Sequence, residues 1–212
     1  ENNANTFTDY TLYQDKIELK KGSWPINDYE TIVNISNQES MPLNKEINLP
    51  KSTLITIDDG WRMQIGVDLL EEYQLNATVF LITSWWKEID FLNKYKYVEY
   101  HSHGDNLHNQ GVCPGGQGGA IKCLDKEKLL EDLSLSRKKL NGTTIFCYPF
   151  YEYNDYSIKM LKKAGFTMAF IGESNNSDNL IHVDSNKFKL RRFVIVTYTT
   201  INDLNKYFDQ IK

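Results

Sequence analysis

Three of the chain's four histidines fall within eight residues, His101-Ser-His103-Gly-Asp-Asn-Leu-His108. Imidazole is the commonest metal ligand and is largely neutral at physiological pH. His103 and His108, five residues apart, converge on one ion if a turn separates them. His101 and His103, two apart on one strand face, form the competing pair. A catalytic zinc also needs a further ligand, usually a carboxylate, and keeps one position open. Asp58-Asp59-Gly60 supplies two carboxylates. Adjacent acids at the end of a buried strand are costly unless something compensates them. A divided role compensates both: one Asp ligates the cation, and the other is the base for a water acidified toward a pKa of about 7. The plainer alternatives are an Asp-Gly turn ahead of a helix and a polar loop with surface histidines.

These residues must be held by regular elements. Leu54–Ile57 reads as a short buried strand that stops at the Asp-Asp-Gly turn. Ile65, Val67, Leu70 and Tyr73 recur at helical spacing, and 77–82 is a second strand. Residues 86–95 are expected to be helical, and a third strand, 97–100, runs into the histidines. Asp125 reads as the N-cap of a leucine-bearing helix. Residues 143–148 form a strand stopped by Pro149, and Asn154 caps a helix ending at Gly165. Strands at 167–171 and 193–197 and a closing helix over 202–211 complete the expectation. Strand–helix alternation with short connections gives an α/β fold with a mostly parallel sheet, whose ligands lie at the C-terminal strand ends. Residues 1–50 lack this regularity. They are expected to form an N-terminal extension of short strands or a helix, packed on a main domain over 51–212.

Composition narrows the class. With 41% hydrophobic and 25% charged residues, the chain is not disordered overall. A net charge of −4 without a Lys/Arg block argues against nucleic acid as a partner. No apolar run approaches a membrane span, and Glu1–Thr8 has no apolar signal core, so the chain as given is expected to be soluble, without a transmembrane segment. Cys113 and Cys123 bracket a glycine-rich loop; whether they pair stays open, with Cys147 left free if they do. Thirteen tyrosines, ten phenylalanines and four tryptophans offer ring faces to a core or to sugars.

Thr56-Ile-Asp-Asp-Gly60 resembles the first motif of polysaccharide deacetylases, the NodB-homology or carbohydrate esterase family 4 group. Ser102-His-Gly-Asp-Asn-Leu-His108 resembles the second motif, in the form seen in the branch acting on poly-N-acetylglucosamine. Phe146-Cys-Tyr-Pro-Phe150 resembles the third, and segments at 165–170 and 190–194 resemble later ones in order. The likeness covers roughly residues 51–198. It implies a distorted (β/α) barrel with fewer than eight units and hydrolysis of N-acetyl groups on an N-acetylglucosamine-containing polysaccharide, peptidoglycan or exopolysaccharide. It implies a divalent metal, zinc or else cobalt, nickel or another first-row ion, on Asp59, His103 and His108. Asp58 becomes the general base, and the Phe150 backbone N–H the oxyanion donor. Trp61, Trp86, Tyr148 and Tyr151 become the candidate sugar contacts. A secreted or cell-surface location follows from such a substrate.

Three positions depart from the family pattern. Cys147 stands where an arginine often orients the base, and Arg192 is expected to take over by pairing with Asp58. Tyr151 replaces a glycine. No Leu-x-His motif occurs near the C-terminus, leaving His101 and His182 as the spare histidines. These departures keep two alternatives in view: a degenerate carbohydrate-binding member of the same fold, and a metal amidase for small N-acyl substrates.

Overall fold

The computed structural model describes residues 10–12, 16–19, 31–34, 55–60, 63–74, 76–173, 179–182 and 184–194. Three strands, β1 (Tyr10–Leu12), β2 (Lys16–Leu19) and β3 (Thr31–Asn34), form an antiparallel sheet in the order β1-β2-β3. The described residues of this segment are thus strands. Its expected packing on the main domain lies outside the described residues.

The main sheet is parallel throughout, in the order β4 (Ile55–Ile57), β5 (Ala77–Leu81), β6 (Val98–Ser102), β7 (Ile145–Cys147) and β8 (Met168–Phe170). Spatial order equals chain order, as right-handed crossovers produce when helices lie on one side. The sheet curls into a half-barrel, the distorted (β/α) barrel with fewer than eight units. Leu190 extends it through a parallel bridge to Phe170.

Alternation along the strands builds the cores. Phe80, Ile145, Cys147, Met168, Phe170 and Leu190 cluster inside the curl. On the other face, Phe146, Tyr148 and Ala169 pack with Leu129 and Leu133 of α2 (Lys126–Lys139) and Met160 and Leu161 of α3 (Asp155–Ala164). Val67 of α1 (Met63–Glu72) joins Val79, Leu81, Val98 and Tyr100 in a third cluster. The helix ends follow the caps read from sequence. Asp125 accepts from the N–H groups of Glu127 and Lys128, Asn154 forms a reciprocal box with Ser157, and Gly165 takes the left-handed conformation at φ 88°.

The helix expected over 86–95 is absent. A 3-10 turn, Thr83–Trp85, is followed by irregular chain. The apolar residues that suggested a helix, Trp86, Ile89, Phe91, Leu92 and Tyr95, pack as an irregular cover on the Val79–Tyr100 face. Tertiary burial overrides weak propensity here, since a β-branched and aromatic-rich run gains little from helix formation. Phe193 and Val194 are not in a strand. The rest of that expected strand and the closing helix lie outside the described residues. No helix among the described residues is long and apolar enough to cross a membrane.

Candidate active site

The C-terminal ends of β4, β6 and β7 meet at one place. After β4 the chain turns at Asp59 (φ 69°) and Gly60 (φ 80°), and the Gly60 N–H donates to the Asp58 carbonyl at 2.8 Å. A left-handed non-glycine residue costs on the order of 1 kcal/mol, and such residues gather at functional sites. The turn sends the two carboxylates apart. Asp58 points toward β7, and Asp59, its side chain 46% exposed, points at the histidines.

His103 follows β6 directly, and its N–H extends the sheet to the Leu81 carbonyl at 2.9 Å. His108 sits on a 3-10 turn, Leu107–Asn109. That loop is clamped from α2. The buried Asp132 carboxylate accepts from the Asp105 and Asn106 N–H groups, both at 2.8 Å, and from Gln110 Nε2 at 3.2 Å. Asp59 Oδ1 lies 3.2 Å from His103 Nε2 and 3.4 Å from His108 Nε2. Hydrogen bonding to His103, then to His108, holds the Asp59 carboxyl well below the usual carboxylate range.

The donor set fits a cation. His103 Nδ1 donates to the Cys147 carbonyl at 2.8 Å, since a carbonyl only accepts, and this turns Nε2 toward Asp59; Nε2 is the atom that would present a lone pair to a bound cation. Asp59, His103 and His108 each place a ligand atom within 4.8 Å of the others, a nitrogen-and-oxygen set suited to zinc and neighbouring first-row metals. Asp58, His103 and Cys147 also cluster, but that group already has its cation, Arg192.

Arg192 donates from Nη1 to Asp58 Oδ1 and from Nη2 to Asp58 Oδ2, both at 2.8 Å. It also reaches Thr56 Oγ1, the Ile171 carbonyl and Cys147 Sγ, and lies over the rings of Phe80, Tyr151 and Phe170. The expected Asp58–Arg192 pairing is thus present as a geometric fact. Burial pushes the Asp58 carboxyl up, but the Arg192 hydrogen bonds and the charges of His103 and Arg192 together pull it below its ordinary value. Burial, then Asp58, raises the Cys147 thiol well above its ordinary value, so it stays protonated.

After β7, Pro149–Tyr151 forms a tight turn in which Phe150 (φ 54°) and Tyr151 (φ 58°) are both left-handed. The Phe150 ring lies 4.8 Å from that of His108. Among the described residues its N–H meets no acceptor.

Comparison with known proteins bears on this arrangement. The sequence profile for polysaccharide deacetylases matches residues 45–169, more than half of the chain. The chain belongs to the polysaccharide deacetylase family. A Bacillus subtilis relative, "Putative polysaccharide deacetylase YxkH", is 29% identical over 133 residues, covering 58% of this chain and 45% of that protein. The chain thus matches under half the length of that curated relative. Among solved structures, a de-N-acetylase from Aggregatibacter actinomycetemcomitans superposes with a TM-score of 0.60 at 21% identity, over 77% of this chain and 78% of that one. IcaB from Ammonifex degensii gives 0.55 at 16% identity, over 82% of each chain. These likenesses carry the fold.

In this member of the polysaccharide deacetylase family, the structure brings together Asp58, Asp59, His103, His108, Phe150, Tyr151 and Arg192. It separates others. Tyr148 is fully buried in the α2–α3 core, its hydroxyl donating to the Phe188 carbonyl, so no ring face is left for a sugar. Trp86 turns into the β5–β6 cluster against Phe91. Its neighbour Trp85, 40% exposed, is the tryptophan beside His108, with rings 5.9 Å apart. The expected sugar contact Trp86 is therefore replaced by its exposed neighbour, because position after a strand does not tell which of two adjacent rings faces out. Trp61 lies outside the described residues. His101 bonds Thr143 Oγ1 at 2.6 Å and Glu99 Oε2 at 3.2 Å rather than joining the cluster. His182 is exposed.

Proposed function

We propose that the chain is a metal-dependent hydrolase that removes N-acetyl groups from an N-acetylglucosamine-containing polysaccharide, peptidoglycan or exopolysaccharide. One observation carries the reading. Two adjacent carboxylates are sorted, Asp59 to the histidine pair and Asp58 to Arg192, which is what hydrolysis by a divided acid pair requires.

Asp59, His103 and His108 would hold the metal. Bound there, a divalent ion supplies Lewis acidity toward the amide carbonyl and acidifies water. The protein's own groups do the rest. Asp58, kept ionised by Arg192, accepts the proton of the attacking water. Each carboxylate oxygen has two lone pairs, so the guanidinium leaves acceptor capacity free. Arg192 fixes the carboxylate plane, as a bidentate fork does. The Phe150 N–H donates to the oxygen that gains charge as the carbonyl becomes tetrahedral, a role supported by its having no acceptor among the described residues. Exposed rings of Trp85, Phe150 and Tyr151 border the site, and such amphipathic faces suit the apolar faces of sugar rings. An extracellular or cell-surface workplace goes with a polymer substrate of this kind.

The test is acetate release from N-acetylglucosamine oligomers, using protein stripped by a chelator and then reloaded with zinc, cobalt or nickel. Release that returns only on reloading supports the reading. Binding of oligomers without release under any metal supports a carbohydrate-binding member instead. Activity on N-acyl monomers with no gain from chain length supports a small-substrate amidase.

A further inference from the structure

The catalytic reading leaves unused a disulfide, Cys113–Cys123, which closes the loop Cys113-Pro-Gly-Gly-Gln-Gly-Gly-Ala-Ile-Lys-Cys123. Four of its residues are glycine, so the free loop has many conformations to lose. It nevertheless makes close contact with both turns of the site. Gly118 and Gly119 are buried against Phe150, and a Cβ on Gly118 would stand 2.4 Å from the Phe150 ring. The Phe150 ring also lies close to His108. The Ala120 N–H donates to the carbonyl of Leu107, the residue before His108, at 3.2 Å. Glu152, just beyond the Phe150 turn, accepts from the Gln117 N–H at 2.8 Å and from Lys122 Nζ at 2.9 Å. The loop is thus a strap tied to the His108 turn on one side and to the left-handed Phe150–Tyr151 turn on the other.

We propose that this disulfide-closed strap is a positioning device for the reaction: it holds the Phe150 N–H in register with His108, so that the site is complete only in the oxidised protein. The proposal rests on the deacetylase reading. Closing the bond joins two thiol sulfurs, releases two protons and passes two electrons to a disulfide oxidant, which leaves as two thiols. Cys113 is buried, but Cys123 is exposed, so a dithiol reductant reaches the bond and reverses the step. Cys147, the remaining cysteine, is buried beside Asp58 and takes no part.

The experiment compares the oxidised protein with Cys113→Ser/Cys123→Ser and with Gly118→Ala, which keeps the disulfide but pushes on Phe150. Three quantities are read: cobalt affinity, kcat per bound cobalt on N-acetylglucosamine oligomers, and amide exchange at Ala120. The proposal expects kcat per bound metal to fall at least about tenfold in both variants, the scale of a misplaced oxyanion donor. It expects KM to be unchanged, and the Ala120 amide of the double variant to exchange faster. Wild-type kcat per bound metal together with wild-type Ala120 protection in the double variant overturns it. If the double variant does not fold, the wild type is reduced at the exposed Cys123 side, freed of reductant and compared with the oxidised protein: lower kcat per bound cobalt with faster Ala120 exchange supports the proposal, and unchanged values overturn it. If the oxidised wild type releases no acetate with any metal, the deacetylase reading fails. The strap is then judged by Ala120 exchange and cobalt affinity: weakened in the double variant, they support it, and unchanged, they overturn it.

Discussion

Replacing Arg192 by Ala removes the partner of a carboxylate that is mostly buried. Two charge-assisted hydrogen bonds at 2.8 Å to Asp58 are lost, along with those to Thr56, Ile171 and Cys147. Stranding one member of a buried ion pair costs about 3–5 kcal/mol. The side chains of Arg192 and Asp58 keep 10% and 21% of their exposure, so water screens part of this and the lower end, about 3 kcal/mol, applies. For a chain of this size that is a fall in Tm of roughly 6–12 °C. The pH dependence has a definite sign. In the native protein the Asp58 carboxyl lies below its ordinary value, so its stabilisation is present above that ordinary value and is lost as pH falls through the folded one. Without Arg192, burial dominates and raises the group. The variant then loses stability as pH rises through and above 3.8, and the acid limb of kcat moves toward neutrality. Thermal melts of metal-free protein from pH 3 to 8 should show a gap between wild type and variant that is widest near neutrality and closes toward acid. Arg192→Lys, which keeps the charge without the fork, should recover part of it. A pH-independent gap, or a variant with wild-type Tm and an unmoved acid limb, would refute the reasoning.

Cys147→Ser should leave metal stoichiometry unchanged, because Arg192 already fills the Asp58–Cys147 side of the cluster; loss of the metal on titration would move the cation to the other group. Asp132→Ala frees two loop N–H groups held at 2.8 Å, worth about 1–3 kcal/mol, so cobalt affinity measured against a competing chelator should fall about tenfold, and unchanged affinity would contradict the clamp. Trp85→Ala should raise KM for long oligomers more than for dimers, by a factor matching about 0.5–1.5 kcal/mol, with kcat held; an equal effect on all lengths would remove Trp85 from the sugar surface.

The sequence made some of this legible and concealed the rest, for identifiable reasons. The parallel sheet was readable because β5 and β7 are short, fully buried runs that stop at turn residues. The Asp58–Asp59 turn was readable because it ends the β-branched run of β4, and the histidine cluster because it follows β6 directly. Arg192 was legible as a partner for Asp58 through the gap left by Cys147 and because Arg191 and Arg192 form the one arginine pair of the sequence, although 134 residues separate it from Asp58. The clamp by Asp132 gave no signal, because a carboxylate on an amphipathic helix looks like any solvated acid until its fold places a loop over it. Residues 86–95 misled because packing, not periodicity, decides a short aromatic segment. Tyr148 misled because its alternation places it on the outer face, toward α2 and α3, and strand-end position alone does not tell inward from outward. The Cys113–Cys123 bond was undecidable from spacing, and only the structure shows it formed.

The central claim is the division of labour between Asp58 and Asp59, and it is tested by metal content and turnover measured on the same preparations. Asp58→Asn should bind one equivalent of zinc and release essentially no acetate from N-acetylglucosamine oligomers. Asp59→Ala should lose tight zinc binding, while Arg192→Ala in that background should still lower the Tm of the metal-free protein. Loss of zinc from Asp58→Asn with retention in Asp59→Ala, or full turnover in Asp58→Asn, would contradict the account.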